Sequence, residues 1–266
     1  MIVFAGPSLA AEDRTHFPGA EWRPPAEAGD LLRLLDRPSE RIVLIDGYFD
    51  HRPAPRHKEI LHLLAGGAEI WGAASIGALR AAEMAPFGMI GVGAIFRAYA
   101  DGRIAADDEV ALAHGPAEWR WRPLSVPLVD VRATLCRAVR EKVVGAAEAR
   151  AVRNAAASIH YAERMWEPVL ELTQSSAAGW TGNAVLRPEA IAGLRAWLPS
   201  GAVSQKRLDA LACLSAAAVP RPKGPRPEAV RTLFLDLLAR ESGVDLDRPR
   251  APAPAGPPAT PAAPRG

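Results

Sequence analysis

Short apolar runs alternate with helical patterns over the first part of the chain. The runs Ile2 to Ala5, Arg41 to Asp46 and Ala68 to Gly72 are each typical of a buried strand. Helical patterns from Gly29 to Leu35 and from His57 to Ala65 lie between them. Because strands here alternate with helices, we expect an α/β fold with a small, mainly parallel sheet and crossover helices in the N-terminal half.

The pattern becomes helical after the third predicted strand. Residues Ile76 to Met84 are rich in Ala and Leu and predict a helix that Pro86 and Gly88 end. From Val129 to Val169 the chain again predicts helix, and Gly145 is a position at which it could divide. Three further helices are predicted at Pro188 to Leu198, Ser204 to Ala218 and Pro227 to Glu241. The C-terminal part is therefore expected to be helical.

These elements divide the chain into three predicted parts. Residues 1–128 form the α/β core, and residues 129–248 form a helical region packed on that core. The last part, residues 249–266, has seven prolines among eighteen residues, mixed with Ala, Gly and Arg. Such a composition cannot bury a core, so we expect this tail to be disordered.

Composition and charge exclude several classes of protein. A chain of 266 residues with 49% hydrophobic content can bury a core, and its net charge of +2 without a basic stripe does not indicate nucleic-acid binding. Cys136 and Cys213 are far apart, which indicates neither a disulfide nor a zinc site. The N-terminus lacks a secretion signal, and the apolar stretch Met84 to Phe96 is too short to span a membrane. We expect a cytoplasmic protein without a membrane span, metal or cofactor.

The densest candidate site is Gly72 to Arg80, where a predicted strand meets a predicted helix. Parallel sheets bind ligands at this edge. A serine here, Ser75, would hold its hydroxyl beside the unpaired N–H groups of the helix N-terminus, which can stabilise an oxyanion. The usual Gly-x-Ser-x-Gly spacing is not matched, because Ser75 comes three residues after Gly72. The alternative is that Ser75 only caps the helix and the small residues only let helix and strand approach closely.

A serine nucleophile needs a base, and both lysine and histidine are candidates. His57 and Lys58 open the helix that leads into the Ser75 strand, so they are expected at the same edge of the sheet. A desolvated lysine there could be neutral and accept the hydroxyl proton. His62 and His114 are further histidines. The structural alternatives are that Lys58 is an exposed first-turn lysine and that His57 is a solvated or capping residue.

An acidic run, Asp107 to Glu109, is followed by His114 and allows a metal-site interpretation. Three consecutive side chains cannot converge on one ion unless the backbone is irregular. A solvated loop or a docking surface is therefore the preferred interpretation.

Arg80 and Glu83 are spaced for a structural ion pair on one helix. Arg80 also lies one turn past Ser75, where it could bind an anionic group.

Several ordered segments resemble the TfuA core domain. The central one is Gly72-Ala-Ala-Ser-Ile-Gly-Ala-Leu-Arg-Ala-Ala-Glu-Met. The others are Phe4 to Ser8, Asp46 to Phe49, His57 to Leu61, Phe87 to Gly93, Asp107 to Ala111, Pro123 to Leu135 and Gln205 to Ala210. Together they span most of residues 1–215. The chain departs from the family at Ala74 and Ile76, where a serine and a methionine are expected.

The resemblance implies an accessory role in peptide backbone thioamidation beside YcaO, an ATP-using enzyme. TfuA-like proteins are thought to hydrolyse a thiocarboxylated, ThiS-like sulfur carrier and to help YcaO engage its peptide. The implied catalytic pair corresponds to Ser75 and Lys58, with the N–H groups of Ile76 and Gly77 as oxyanion donors. Lys206, in the familial Gln205 to Ala210 segment, is a rival for the base.

Two other functions stay open at this point. The chain could be a noncatalytic adaptor that binds YcaO, the carrier and the peptide. The acidic loop from Asp107 and the stretch Trp119 to Arg122 would then be docking surfaces. It could also be an unrelated serine hydrolase that acts on small esters or thioesters. The peptide modified could belong to a natural-product (RiPP) pathway or be a cellular protein.

Overall fold

The fold contains one parallel sheet and two groups of helices. The computed structural model describes residues 1–37, 40–48, 52–175, 187–222, 224 and 226–248. The strands within these residues are β1 (Ile2–Phe4), β2 (Glu21–Arg23), β3 (Arg41–Leu44), β4 (Glu69–Gly72) and β5 (Ile90–Gly91). The helices are α1 (Ala11–Arg14), α2 (His57–Ala65), α3 (Ile76–Met84), α4 (Ala94–Ala100), α5 (Leu128–Arg140), α6 (Ala146–Ser158), α7 (Trp166–Ser175), α8 (Pro188–Gly201), α9 (Gln205–Ala218) and α10 (Leu233–Glu241).

All strand pairs in the sheet are parallel, in the order β2-β1-β3-β4-β5. Val3 in β1 lies in register with Trp22 on one side and with Val43 on the other. The chain therefore places β2 to one side of β1 and then returns to place β3 on the other side. This reversal leaves a crevice beyond the carboxyl ends of β1 and β3, the place where such sheets bind ligands. The predicted α/β fold class is confirmed.

Helices cover both faces of the sheet because successive strand residues point to opposite sides. Phe4, Leu44 and their neighbours on one face form a core with α2 and with residues of α10. Val3, Val43 and Ile45 on the other face form a core with α9, through residues such as Ala210 and Leu214. Thus α9, although it comes late in the chain, lies directly on the sheet.

A second group of helices, α5 to α8, has its own core. Leu135 of α5, Val152 of α6, Leu170 of α7 and Leu194 of α8 are among its buried members. The segment between α5 and α6 contains Gly145, which is the N-cap residue of α6. The predicted division of this helical stretch at Gly145 is therefore confirmed.

Some predicted boundaries were wrong, and each error has a local cause. The predicted helix from Val129 to Val169 is broken a second time between α6 and α7, where backbone carbonyls of Ala156 and Ile159 accept hydrogen bonds from the buried Arg164. The last helix begins at Leu233 instead of Pro227, because the Thr232 hydroxyl caps it. The expected disordered tail, residues 249–266, lies outside the described residues.

The edge strands and one short connection also differ from expectation. Strands β2 and β5 were not predicted, because they have three and two residues and are partly exposed. The expected helix from Gly29 to Leu35 is a 3-10 turn at Leu32–Leu34, and Gly29 before it has a left-handed backbone with φ of 93°. Within the described parts of the chain, we find no helix that is long and apolar enough to cross a membrane.

Candidate active site at the carboxyl edge of the sheet

A cavity of about 260 Å³ lies at the carboxyl edge of the sheet. Residues that follow three neighbouring strands line it: Pro7 after β1, Asp46 after β3 and Ser75 after β4. The opposite wall includes residues from Val110 to His114 and the side chain of Lys206 from α9. The cavity therefore lies at the crevice that the strand order leaves open.

Ser75 stands at the N-cap position of α3, but its side chain does not cap the helix. The residue is 7% exposed, and its hydroxyl forms no hydrogen bond with any residue that the structure describes. The preceding residue, Ala74, is fully buried and has a φ of 66°, a conformation that costs an alanine free energy. A strained backbone thus holds Ser75 with a hydroxyl that is free to react, and the capping interpretation lacks the hydrogen bond that it requires.

Close packing between strand and helix, the other half of the structural alternative, is present. A Cβ added to Gly77 would lie 1.8 Å from the carbonyl oxygen of Leu44, and one added to Gly72 would lie 2.1 Å from the carbonyl oxygen of Gly77. Glycine is needed at both positions because any side chain would push α3 off the sheet. These contacts fix the distance between β3 and the start of α3, and hence the position of Ser75.

The two proposed oxyanion donors differ in the structure. The Gly77 N–H donates to the carbonyl oxygen of Ile45 at 3.3 Å, so it is already engaged. The Ile76 N–H has no acceptor among the described residues, and Ile76 lines the cavity. Of the pair, Ile76 is therefore the donor that is available to a bound substrate.

Lys206 brings a buried amine to the same cavity. Its side chain is 3% exposed, and Nζ donates to the carbonyl oxygen of Val110 at 2.8 Å. Asp46 Oδ1 lies 3.9 Å from Nζ. Burial lowers the pKa of Lys206, while the carboxylates of Asp46 and Asp130 oppose that shift. Burial prevails because a charged amine loses its hydration here and gains only one close neutral acceptor.

Asp46 is a cavity residue that the sequence analysis did not assign to the site. It is 1% exposed and accepts hydrogen bonds from the N–H groups of Gly6 at 2.8 Å and Ser8 at 3.0 Å. The Ser8 hydroxyl also donates to it at 2.6 Å. Asp46 therefore ties the loop after β1 to the end of β3. Its position just after a buried strand, at the edge where Ser75 was expected, was the signal that could have found it.

Asp130 contacts Lys206 from the other side of the α9 N-terminus. Its carboxylate accepts a hydrogen bond from the Lys206 N–H at 3.0 Å. Burial raises the pKa of Asp130, against the opposing effect of these hydrogen bonds and of the Lys206 charge. Asp130 thus fixes the first turn of α9 to α5 and so places the lysine.

Lys58 and His57 do not line this cavity. They begin α2, which packs on the face of the sheet opposite to α9. His57 Nε2 lies 2.8 Å from Glu83, and Arg80 donates to the same carboxylate at 2.7 Å. The predicted Arg80–Glu83 pair is therefore present, and it forms a cluster with His57 outside the cavity. His114 does line the cavity, with Nδ1 2.8 Å from the carbonyl oxygen of Gly115.

The acidic run Asp107–Glu109 forms a 3-10 turn whose side chains diverge. Glu109 is buried and accepts two hydrogen bonds from Arg132. Asp108 lies 3.7 Å from the buried Arg164, and Asp107 lines the cavity. Within the described ranges, His, Cys, Asp and Glu side chains form no group of three or more that could hold a metal ion.

Part of the chain that carries this site matches a known protein family. Residues 46–165 match the family described as TfuA-like protein. The predicted resemblance is confirmed over this TfuA-like region, which contains Ser75 and Lys58. Lys206 lies beyond its end. Among curated proteins, none matches the chain.

The TfuA-like family is associated with YcaO systems, so the match supports an accessory role associated with thioamidation.

Proposed function

We propose that the chain hydrolyses the C-terminal thiocarboxylate of a ThiS-like carrier and delivers sulfide for YcaO-dependent peptide thioamidation. One observation carries the proposal. The unbonded hydroxyl of Ser75 and the buried amine of Lys206 line the same cavity at the carboxyl edge of the sheet. A serine and a lysine with a lowered pKa at one cavity are a combination suited to nucleophilic catalysis.

Lys206 is the better candidate for the base than Lys58. A base must be within hydrogen-bond reach of the proton it removes, and Lys206 lines the cavity whereas Lys58 does not. A neutral lysine has two N–H donors and one lone pair. One donor can remain with the carbonyl oxygen of Val110, while Asp46 Oδ1 lies 3.9 Å away, beyond hydrogen-bond distance. The lone pair is then left for the Ser75 proton.

The first half of the proposed reaction transfers the carrier to the enzyme. Ser75 Oγ attacks the thiocarboxylate carbon while Lys206 Nζ takes the hydroxyl proton. The Ile76 N–H stabilises the oxyanion that develops at the carbonyl oxygen. When the intermediate collapses, the C–S bond breaks and the sulfur leaves as hydrosulfide with the proton from Lys206. An ester between the carrier and Ser75 remains.

The second half regenerates the enzyme. Lys206, neutral again, takes a proton from a water molecule that attacks the ester carbon. The C–O bond to Ser75 breaks, and Ser75 Oγ recovers its proton from Lys206. The products are the carrier carboxylate, one further proton and the free enzyme, so the net reaction consumes one water for each hydrosulfide released.

The size of the cavity supports a chain terminus as the group that enters it. A volume of about 260 Å³ is near the lower end for small-molecule sites and holds only a few residues of extended chain. The folded body of a carrier would remain outside, against the surface around the opening.

Cys136 and Cys213 are both free thiols, which supports a reducing, cytoplasmic location beside YcaO.

Sulfide release from a purified thiocarboxylated carrier tests the proposal. We expect Ser75→Ala to lower the rate constant for release by at least about 10³-fold while binding of the carrier and of YcaO persists. Lys58→Met is the matched control, because it removes an amine from outside the cavity, and it should retain the native rate. Release that is unchanged in Ser75→Ala would refute the nucleophile and favour the noncatalytic adaptor. Comparable activity on small thioesters, without a carrier, would favour an unrelated hydrolase.

A further inference from the structure

A second and larger concavity lies between α4, α5 and α6. Its volume is about 800 Å³, roughly three times that of the Ser75 cavity, and the two share no lining residue. Five arginines line it: Arg103, Arg132, Arg140, Arg150 and Arg153. No aspartate or glutamate is among its described lining residues. We call this concavity the arginine groove.

The floor of the arginine groove is aliphatic. Four aliphatic residues line it, and other residues of the chain already bury each of them almost completely: Ile95, Ile104, Val129 and Leu135. Alanines of α4, α5 and α6 line much of the rest, which keeps the floor open. An aliphatic floor with a charged rim fits an amphipathic partner, because the partner's apolar side chains can pack on the floor while its charged groups pair with the rim.

Three of the five arginines form no ion pair with a described carboxylate, and one of them, Arg153, donates instead to the side-chain oxygen of Asn154. Arg103 pairs with Asp101, and Arg132 pairs with Glu109. Arg140 and Arg150 are exposed, and neither forms an ion pair with a described residue. Arg140 is the last residue of α5, and Arg150 lies near the start of α6. The charge of Arg140 acts on the neighbouring carboxylate of Glu141, but without an ion pair between them. The rim therefore carries arginines that have no ion-pair partner among the described residues.

We propose that the arginine groove binds an acidic peptide segment whose aliphatic side chains fill the floor while its carboxylates pair with Arg140 and Arg150. Charge complementarity carries this choice of occupant. The proposal does not depend on the chemistry of Ser75, because the two concavities are separate.

Other occupants fit the groove less well. The chain's own segment 249–266 contains no Asp or Glu, so it cannot pair with the arginines. A second copy docked face to face through a twofold axis would bring arginine rims together. A single-stranded nucleic acid would need aromatic side chains for stacking, and none lines the described groove.

Cys136 gives a direct reporter of occupancy. It lines the arginine groove and is exposed, whereas Cys213 is buried, so a thiol reagent should reach Cys136 first. A peptide that covers the floor should protect this thiol. The probe is a synthetic amphipathic peptide of Leu, Ala and Glu, and the control peptide has every Glu replaced by Lys.

The experiment measures the rate of Cys136 modification in the full chain at increasing peptide concentration. We expect the Glu peptide to slow modification at least about fivefold at saturation and the Lys peptide to have no effect. Arg140→Glu/Arg150→Glu should weaken the Glu peptide at least about tenfold, since attraction becomes repulsion at two sites. The protection should also weaken at high ionic strength.

Arg150→Glu and Arg240→Glu form a matched pair. Both residues are exposed and both substitutions change the charge by the same amount, but Arg240 is on α10, away from the groove. Only Arg150→Glu should weaken protection. Equal effects of both variants, equal protection by the Lys peptide, or no protection at about 1 mM Glu peptide would overturn the proposal. A concentration-dependent dimer that protects Cys136 without peptide would also overturn it.

Discussion

Replacing Lys206 by methionine tests the assignment of the base. A methionine side chain has about the length and volume of a lysine side chain but lacks Nζ, so the substitution acts mainly on the amine. The structure indicates what else is lost: a hydrogen bond to the carbonyl oxygen of Val110, worth about 1–3 kcal/mol if that acceptor is left unpaired. Asp46 keeps its three hydrogen bonds from Gly6 and Ser8. We therefore expect Lys206→Met to fold.

The expected catalytic effect is much larger than the structural one. General-base catalysis contributes about 10²- to 10⁴-fold, so kcat for sulfide release should fall by that factor in Lys206→Met. Carrier affinity should change little, because the carrier body binds outside the cavity. In the native chain, the rate should rise with pH as Lys206 loses its proton, and its lowered pKa moves this rise below the range of an ordinary lysine. The variant should lack that rise.

Single-turnover sulfide release, followed over a series of pH values that extends well below the titration range of an ordinary lysine, measures both effects. Lys58→Met serves as the control and should stay within about twofold of native. Loss of activity in Lys58→Met with activity retained in Lys206→Met would refute the assignment of Lys206 as the base. A pH profile with the same rise in Lys206→Met would point to another titrating group at the cavity, and His114→Gln would then be the next variant.

Three further predictions concern the support of the site. Lys206 binds a proton more weakly in the folded chain than in the unfolded chain. Between its lowered pKa and 10.5, the native free energy of unfolding should therefore rise with pH by up to about 1.36 kcal/mol per unit, relative to Lys206→Met in urea titrations. Asp46→Asn removes the charge that opposes the lowered pKa of Lys206, and it should move the rise in rate to lower pH. Gly77→Ala would place its Cβ 1.8 Å from the Leu44 oxygen and should destabilise the fold by about 1–3 kcal/mol or more. Gly193→Ala, with nothing within 4 Å, should instead stabilise α8 by about 0.5–1 kcal/mol. An equal effect of the two glycine substitutions would contradict the close approach of α3 to the sheet.

Local patterns were sufficient for the elements that hold Ser75. The helices at His57–Ala65 and Ile76–Met84 were predicted with the observed bounds, because apolar periodicity, Gly66 and Pro86 define them locally. The sheet edges were missed because β2 and β5 owe their existence to pairing with a neighbour and not to their own residues.

The partner of Ser75 could not be chosen from the sequence. Chain order places Lys58 at the helix before the Ser75 strand, whereas the approach of Lys206 depends on α9 returning over the other face of the sheet. That return is decided by tertiary packing of residues such as Cys213 and Leu214 on the strands. The lack of a capping bond at Ser75 likewise depends on the backbone angles of Ala74, which no pattern of residues reports.

The most direct test of the central claim is to look for the covalent intermediate on Ser75. A thiocarboxylated carrier is mixed with excess native chain, quenched with acid at successive times and mapped by peptide mass spectrometry. If Ser75 is the nucleophile, an ester that joins the carrier to the peptide containing Ser75 should appear together with sulfide and then decay. Sulfide release with no ester at Ser75 at any time, or with the carrier attached to another residue, would contradict this claim.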